Sequence, residues 1–123
     1  MAVIKYEEVD NNDYLKKHSP LFLVTSILSR KWNVILLTLL RDTKRFNELR
    51  KAVPEISPSH LSRTLKELEE LNLIQRTGYG GHPPKVEYTL TKNGENLTEI
   101  FDILERWGTE YASQSKMFKL PEK

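Results

Sequence analysis

The 123-residue sequence predicts a mainly α-helical fold with one small β-hairpin, an α+β arrangement. Three observations predict it. Apolar residues recur at helical spacing in four separate segments, the pattern changes to alternation beyond Asn72, and a turn with two glycines and two prolines, GGHPPK, divides the alternating region. A chain of 123 residues suits one domain of ordinary size, which can bury a core without disulfides or metals.

Composition limits the class of protein. Hydrophobic residues make up 38% and charged residues 29%, and no apolar run approaches the roughly 18 residues of a membrane span. The start, MAVIKYEEVDNND, lacks the order of a signal peptide, so we expect a cytoplasmic protein. The absence of cysteine excludes disulfides, thiolate metal sites and thiol switches. A net charge of +2 means that any nucleic-acid-binding surface must be local.

The first third of the chain predicts an arm and two helices. Residues 1–18 have no sustained period and are interpreted as an N-terminal arm. Ser19 can cap a helix that begins at Pro20, and because PLFLVTSILS is apolar nearly all round, we expect this helix to be buried on more than one side. The next segment, KWNVILLTLLRD, has apolar residues at i, i+3, i+4, i+7 and i+8.

The middle of the chain predicts two helices joined by a tight turn. Phe46, Leu49 and Val53 indicate a short helix that cannot pass through Pro54. Ser57 can cap the following helix, and Pro58 suits its first position. This second helix, within ISPSHLSRTLKELEELNLI, places its leucines on one stripe and has basic and hydroxylated residues at the front of its other face.

The last third predicts the hairpin and a long helix. LIQRTGY and VEYTLT alternate as strands on either side of the turn, and Thr91 can cap a helix of about 20 residues, to about residue 112. The predicted domain therefore spans residues 19–112, with a C-terminal tail at 113–123.

This order of elements is that of a winged helix-turn-helix, in which one helix enters the DNA major groove. The front of the predicted recognition helix suits that role, because acids there would repel phosphates. We expect contacts from the recognition helix, from the start of the helix before it and from the wing. The predicted DNA-binding residues are Arg45, Asn47, Ser57, Ser59, His60, Ser62, Arg63, Lys66, Arg76, His82 and Lys85.

The apolar arc of the last helix is wider than a small domain covers from one side, which predicts a homodimer through the terminal helices. A two-fold axis would set two recognition helices about 34 Å apart, so that a palindrome is read twice. The predicted interface consists of Leu23, Ile27, Leu97, Ile100, Phe101, Leu104, Trp107 and Tyr111.

The blocks KWNVILLTLL, RFNELRKAVPEISPSHLSRTLKELEELNLIQR, PPKVEYTLTKNGENL and Trp107-Gly108 resemble the HxlR-type regulators, relatives of the MarR group. The resemblance covers roughly Ser19 to Gly108 and implies a small dimeric prokaryotic transcription factor. Many members have a cysteine just before the proline of the first core helix, and several sense electrophiles or oxidants through it. In this sequence that position is Ser19, so thiol sensing is not carried over.

Other interpretations of the same residues stay open at this point. Arg63 could pair with Glu67 one helical turn later instead of meeting DNA. The domain could bind an acidic protein instead of DNA, or a small-molecule effector could occupy an aromatic crevice lined by Trp32, Phe101 and Trp107. No cofactor, metal site or catalytic group is predicted, because no histidine has a partner at ligand spacing and the paired acids point apart on a helix.

Overall fold

The computed structural model describes residues 19–115. The expected arm, residues 1–18, and the tail beyond residue 115 lie outside the described residues. The described chain divides in sequence between Leu36 and Leu37 into two compact units. Its elements, in chain order, are α1 Pro20–Leu28, α2 Lys31–Leu39, β1 Lys44–Arg45, α3 Phe46–Ala52, α4 Pro58–Glu70, β2 Ile74–Tyr79, β3 Lys85–Leu90 and α5 Lys92–Gln114.

The first unit contains α1 and the start of α2. Ser19 caps α1 as predicted, since its hydroxyl accepts a hydrogen bond from the Leu21 backbone N–H at 3.2 Å. The carboxamide of Asn33, a buried residue, donates to the Ile27 carbonyl at 3.2 Å and so satisfies one acceptor near the end of α1. At the same end, the hydroxyl of the C-cap residue Ser29 donates to the Ser26 carbonyl at 3.5 Å.

The expectation that α1 is buried on more than one side is wrong for residues 19–115. None of its nine residues is buried, and Leu21, Phe22 and Leu23 are 43%, 41% and 57% exposed. Apolar composition makes burial favourable but does not specify which surface provides the cover, and the described part of one chain does not provide it.

Among the described residues, no single helix is long and apolar enough to cross a membrane, although α1 and α2 together reach that length and composition with a bend of 81° between them.

The second unit is built around leucines of the two helix-turn-helix segments. Leu61, Leu65 and Leu68 of α4 are almost fully buried, as their i, i+4, i+7 spacing predicts. Truncation of such a leucine to alanine costs about 2–5 kcal/mol. The other buried apolar residues of this unit are Leu37, Leu40, Leu49, Val53, Ile56, Leu73, Ile74, Leu90 and Phe101.

The predicted hairpin is formed by β2 and β3, which pair antiparallel from Ile74↔Leu90 to Tyr79↔Lys85. A third strand, β1, adds to the other edge of β3 through Lys44↔Tyr88 and Arg45↔Glu87, giving the strand order β1-β3-β2. The sequence did not predict β1, because two residues are too few to show an alternating pattern. The sheet fixes the start of α3 beside the wing, since Arg45 ends β1 and Phe46 begins α3.

The end of α4 is closed by a Schellman motif. The Leu73 N–H donates to the Leu68 carbonyl at 3.0 Å, the Asn72 N–H donates to the Glu69 carbonyl at 2.9 Å, and Asn72 adopts a φ of +58°. Asparagine is one of the few non-glycine residues that accept this left-handed conformation readily. The chain therefore leaves α4 in a defined direction and enters β2 directly.

The start of α5 is held against this same turn. The Thr91 hydroxyl donates to the Asn72 carbonyl at 2.7 Å and accepts from the Gly94 N–H at 3.1 Å, while the Thr91 N–H donates to the Leu73 carbonyl at 3.0 Å. A Cβ atom on Gly94 would lie only 2.1 Å from the Leu73 carbonyl oxygen. The recognition helix, the wing and α5 thus meet at one tightly packed junction.

Candidate nucleic-acid interface

The polar front of α4 lies on the side opposite its buried leucines. Ser59, Ser62, Arg63 and Lys66 are all exposed, and their i, i+3, i+4, i+7 spacing places them on one stripe. Ser57 caps the helix by accepting from the His60 N–H at 3.1 Å, and His60 itself is half-buried. The structure therefore brings together six of the predicted DNA-binding residues at the N-cap and the first three turns of one helix.

The cations of this front are available for an external partner. Within residues 19–115, ion pairs join Arg41 to Asp102 at 2.8 Å and Lys92 to Glu95 at 3.8 Å. Neither pair includes a cation of α3, α4 or the wing, and Arg63 does not form the alternative pair with Glu67. Since an exposed, uncommitted cation loses no internal interaction on binding, its contact with a phosphate or a base is not offset by a broken ion pair.

Arg45 and Asn47 lie at the start of α3, where they were predicted, and both are exposed. The backbone N–H of Arg45 donates to a carboxylate oxygen of Glu48 at 2.9 Å. An arginine side chain has no acceptor to return this contact, so only half of a capping box forms. The exposed guanidinium of Arg45 therefore takes no part in capping α3.

The three predicted wing residues do not share one surface. Ile74 and Leu90 are buried partners across the hairpin and mark the inner face of the sheet. Arg76 is two residues from Ile74 and so lies on the same face, although it is exposed. Lys85 is five residues from Leu90 and so lies on the opposite face. His82 is exposed in the loop between the strands. Given the strand register, the two-residue period of a strand would have assigned Arg76 and Lys85 to opposite faces of the sheet.

Sequence reasoning missed two cations of α3. Arg50 and Lys51 lie one turn after Asn47 and line an open cleft of about 550 Å³ together with Asn47, Pro54, Ile56 and Pro58. Both cations are exposed, and neither forms an ion pair within the described part of the chain. The available signal was helical spacing: Arg50 and Lys51 follow Asn47 by three and four residues, which places the three side chains on one side of the helix.

The residues of the predicted dimer interface differ in exposure. On α5, Ile100, Leu104, Trp107 and Tyr111 are 50%, 48%, 62% and 45% exposed, and the rings of Trp107 and Tyr111 stack with centroids 5.0 Å apart. Phe101 is only 6% exposed and belongs to the core of its own chain. Leu23 of α1 is exposed, while Ile27 and Leu97 are half-buried.

The aromatic residues suggested for an effector crevice differ in exposure. Trp32 is half-buried with the Lys31 ammonium 4.9 Å above its ring, an arrangement of the cation–π type. Phe101 is a core residue, and Trp107 is largely exposed beside Tyr111. Among residues 19–115, no group of three or more histidine or acidic side chains is arranged to hold a metal ion.

Comparison with known proteins places this geometry in a family. Residues 27–116 match the model of the HxlR-like helix-turn-helix family. An uncharacterised HTH-type transcriptional regulator of Methanothermobacter thermautotrophicus is 42% identical over 87 residues, which cover 70% of this chain and 66% of that protein, just under two thirds of its length.

Solved structures show the same fold. The reduced form of the transcriptional regulator YodB from Bacillus subtilis has a TM-score of 0.71 at 32% identity, covering 78% of this chain and 95% of YodB. A MarR-family regulator from Enterococcus faecalis has a TM-score of 0.74 at 30% identity, covering 93% of this chain and 99% of that protein. The similar proteins are regulators and not enzymes. With a winged helix-turn-helix and a family match over most of its length, the chain belongs to the HxlR-like helix-turn-helix family of transcriptional regulators.

Proposed function

We propose that the protein is a sequence-specific DNA-binding regulator that acts in the cytoplasm as a homodimer on a palindromic operator. The observation that carries the proposal is the exposed front of α4, where Ser59, Ser62, Arg63 and Lys66 share one stripe and the two cations form no ion pair with any of residues 19–115. Family membership supports a regulatory role for this surface.

The chemistry of the stripe fits a major groove, which is about 12 Å wide and admits one helix. A guanidinium such as that of Arg63 can donate two hydrogen bonds to guanine, and an ammonium such as that of Lys66 meets phosphate as a point charge. Serine hydroxyls are short enough to allow the helix close approach. Because both ends of α4 are fixed, by the Ser57 cap and by the turn at Asn72, the side chains project from a rigid support.

The homodimer is supported by the exposed side of α5. Leu97, Ile100, Leu104, Trp107 and Tyr111 follow the alternating three- and four-residue spacing of a helix–helix contact. Four of the five are at least 45% exposed in the single chain. Contiguous apolar surface of this kind, rimmed by polar residues, is typical of a protein interface. A second copy would cover it and would present two copies of α4 to one duplex.

Salt dependence of duplex binding tests the proposal. Neutralising phosphates releases counterions, so a dimer with about 6–10 phosphate contacts loses roughly 10³–10⁵-fold in affinity between about 50 and 200 mM salt. Fluorescence anisotropy with a labelled duplex measures this slope, and selection from a random duplex pool identifies the preferred sequence. Absence of binding at low salt, binding that is independent of salt, or selection of no palindrome would each overturn part of the proposal.

Arg63→Ala tests base recognition directly. The loss of a bidentate contact with a base is expected to weaken binding to the selected duplex by about 1–3 kcal/mol, with a smaller effect on random DNA. Arg106→Ala removes the same type of side chain from an exposed position on α5 and serves as the matched control. An equal loss on both duplexes would assign Arg63 to the phosphate backbone.

Treatment with diamide separates this protein from thiol-dependent regulators. Its sequence has no cysteine, so we expect the affinity for the selected duplex to be the same before and after treatment. An affinity change that the reductant dithiothreitol reverses would contradict this expectation.

A further inference from the structure

The cleft beside α3 forms a second cationic surface that is distinct from the front of α4. Its volume is about 550 Å³, and its lining combines two cations, Arg50 and Lys51, with the carboxamide of Asn47. Pro54, Ile56 and Pro58 form the rest of the wall, so no acidic side chain from the described residues 19–115 lines it. This composition favours an anionic occupant, since two positive charges and an amide donor face one space without a carboxylate to balance them.

The position of the cleft indicates which anion it meets. Pro58 is the first residue of α4 and lies between Ser57 and Ser59, so the cleft adjoins the beginning of the recognition helix. When a recognition helix enters the major groove, the helix before it crosses the adjacent DNA backbone. The face of α3 that bears Asn47, Arg50 and Lys51 is therefore continuous with the surface that would follow the phosphates.

Local interactions leave these cations free to take that role. Neither forms an ion pair within residues 19–115, and the carboxylate of the nearby Glu48 is already engaged with the Arg45 N–H. Arg50 also suits a phosphate ligand, because a planar guanidinium can donate two hydrogen bonds to one phosphate.

We propose that the cleft formed by Asn47, Arg50 and Lys51 is a phosphate seat that holds the DNA backbone beside the groove entered by α4. The inference rests on the proposed DNA-binding function and adds two residues to it. In this assignment Arg50 and Lys51 supply sequence-independent affinity and set the register of the helix, while discrimination between bases stays with the front of α4.

The test compares the double variant Arg50→Gln/Lys51→Gln with the control Lys92→Gln/Arg106→Gln, which removes two exposed cations from α5. Anisotropy is measured from about 50 to 200 mM salt on the selected duplex and on a random duplex. The α3 variant is expected to lower the magnitude of the salt slope by about 0.9 for each phosphate contact removed, and to weaken binding roughly 10-fold per contact near 100 mM salt. The ratio of affinities for the two duplexes should not change, and the control should retain the wild-type slope.

Several results would overturn the inference. They are an unchanged slope in the α3 variant, an equal loss in the control, or a loss confined to the selected duplex. Thermal stabilisation by inorganic phosphate that requires Arg50 and Lys51, with an unchanged DNA slope, would assign the cleft to a free anion. Circular dichroism and thermal unfolding establish that both variants are folded. If the wild-type protein itself binds no duplex, the proposed function fails, whereas wild-type binding with no effect of the α3 variant removes only the phosphate seat.

Discussion

The two halves of α5 belong to one continuous helix but have opposite surroundings. In the first half, Gly94, Thr98 and Phe101 are buried, and the Arg41 guanidinium binds both the Thr98 carbonyl and the Asp102 carboxylate. From residue 103 to the end of the helix no residue is buried, and Trp107 is 62% exposed. Both halves have similar apolar spacing, so exposure in the second half reflects missing neighbours and not a polar sequence.

One helix therefore has two structural roles, packing in its own domain and exposure of an apolar surface. Its first half is fixed to the turn between α4 and the wing. Its second half presents a long, exposed apolar stripe. A helix of 23 residues spans about 34 Å, so the two roles are separated along a rigid rod. Any partner that orients the stripe therefore also orients the proposed DNA-binding surface.

The largest expected effect distinguishes the two glycines of α5. Gly94→Ala would place a Cβ 2.1 Å from a backbone oxygen, whereas Gly108 has no heavy atom within 4 Å of that position. We expect Gly94→Ala to lower the free energy of unfolding by about 3 kcal/mol and the melting temperature by about 12–24 °C. Gly108→Ala should be neutral or stabilising by up to about 1 kcal/mol. Equal effects of the two changes in thermal unfolding would show that the junction is not tightly packed.

The next effect concerns the exposed stripe. Trp107→Glu places a charge on the apolar side of α5 and should raise the dimer dissociation constant at least about 30-fold, or about 2 kcal/mol. Because Trp107 is exposed in the single chain, circular dichroism of the monomer should be unchanged. Analytical ultracentrifugation makes the measurement, with Thr109→Glu as a control at a position outside the stripe. A wild-type monomer, or a Trp107→Glu variant that dimerises normally, would contradict the proposed interface.

A smaller effect tests the hydroxyl at the junction. Thr91→Val keeps the shape of the side chain but removes the cap to Gly94 and the hydrogen bond to the Asn72 carbonyl, and should cost about 1–2 kcal/mol of folding free energy. Thr91→Ser retains both hydrogen-bonding functions and should lose less. Urea unfolding measures the difference, and a serine variant as unstable as the valine variant would show that the methyl group matters and the hydroxyl does not.

The smallest effect is expected at the ion pair of Arg41. Its side chain is 39% exposed and that of Asp102 is 61% exposed, so solvent screening limits the ion pair, and Arg41→Gln should cost only about 0.5–1 kcal/mol. Lys92→Gln removes the more exposed pair with Glu95 and should cost less than about 0.5 kcal/mol. Urea unfolding measures both losses of folding free energy. A larger loss for Lys92→Gln than for Arg41→Gln would show that the contact of Arg41 with α5 does not stabilise the first half of α5.

Local patterns in the sequence predicted most of the fold. Helix α4 begins at Pro58 after the Ser57 cap, α5 begins after Thr91, and the hairpin strands occupy the alternating segments, all as expected. The exposure of α1 was not predicted, and neither was the presence of β1, because each depends on neighbours distant in sequence. Phe101 shows the same limit: its spacing is compatible with the exposed stripe, but packing assigns it to the core.

Local sequence features account for where the helices begin and end and for which residues form the polar front of α4, because caps, prolines and periodicity act over about four residues. Packing in three dimensions determines which part of the apolar arc of α5 is covered, why position 94 must be glycine, and that Arg50 and Lys51 share a cleft with the start of α4. These properties depend on contacts between segments far apart in the chain. Such contacts are set by packing of the whole core and leave no local pattern in the sequence.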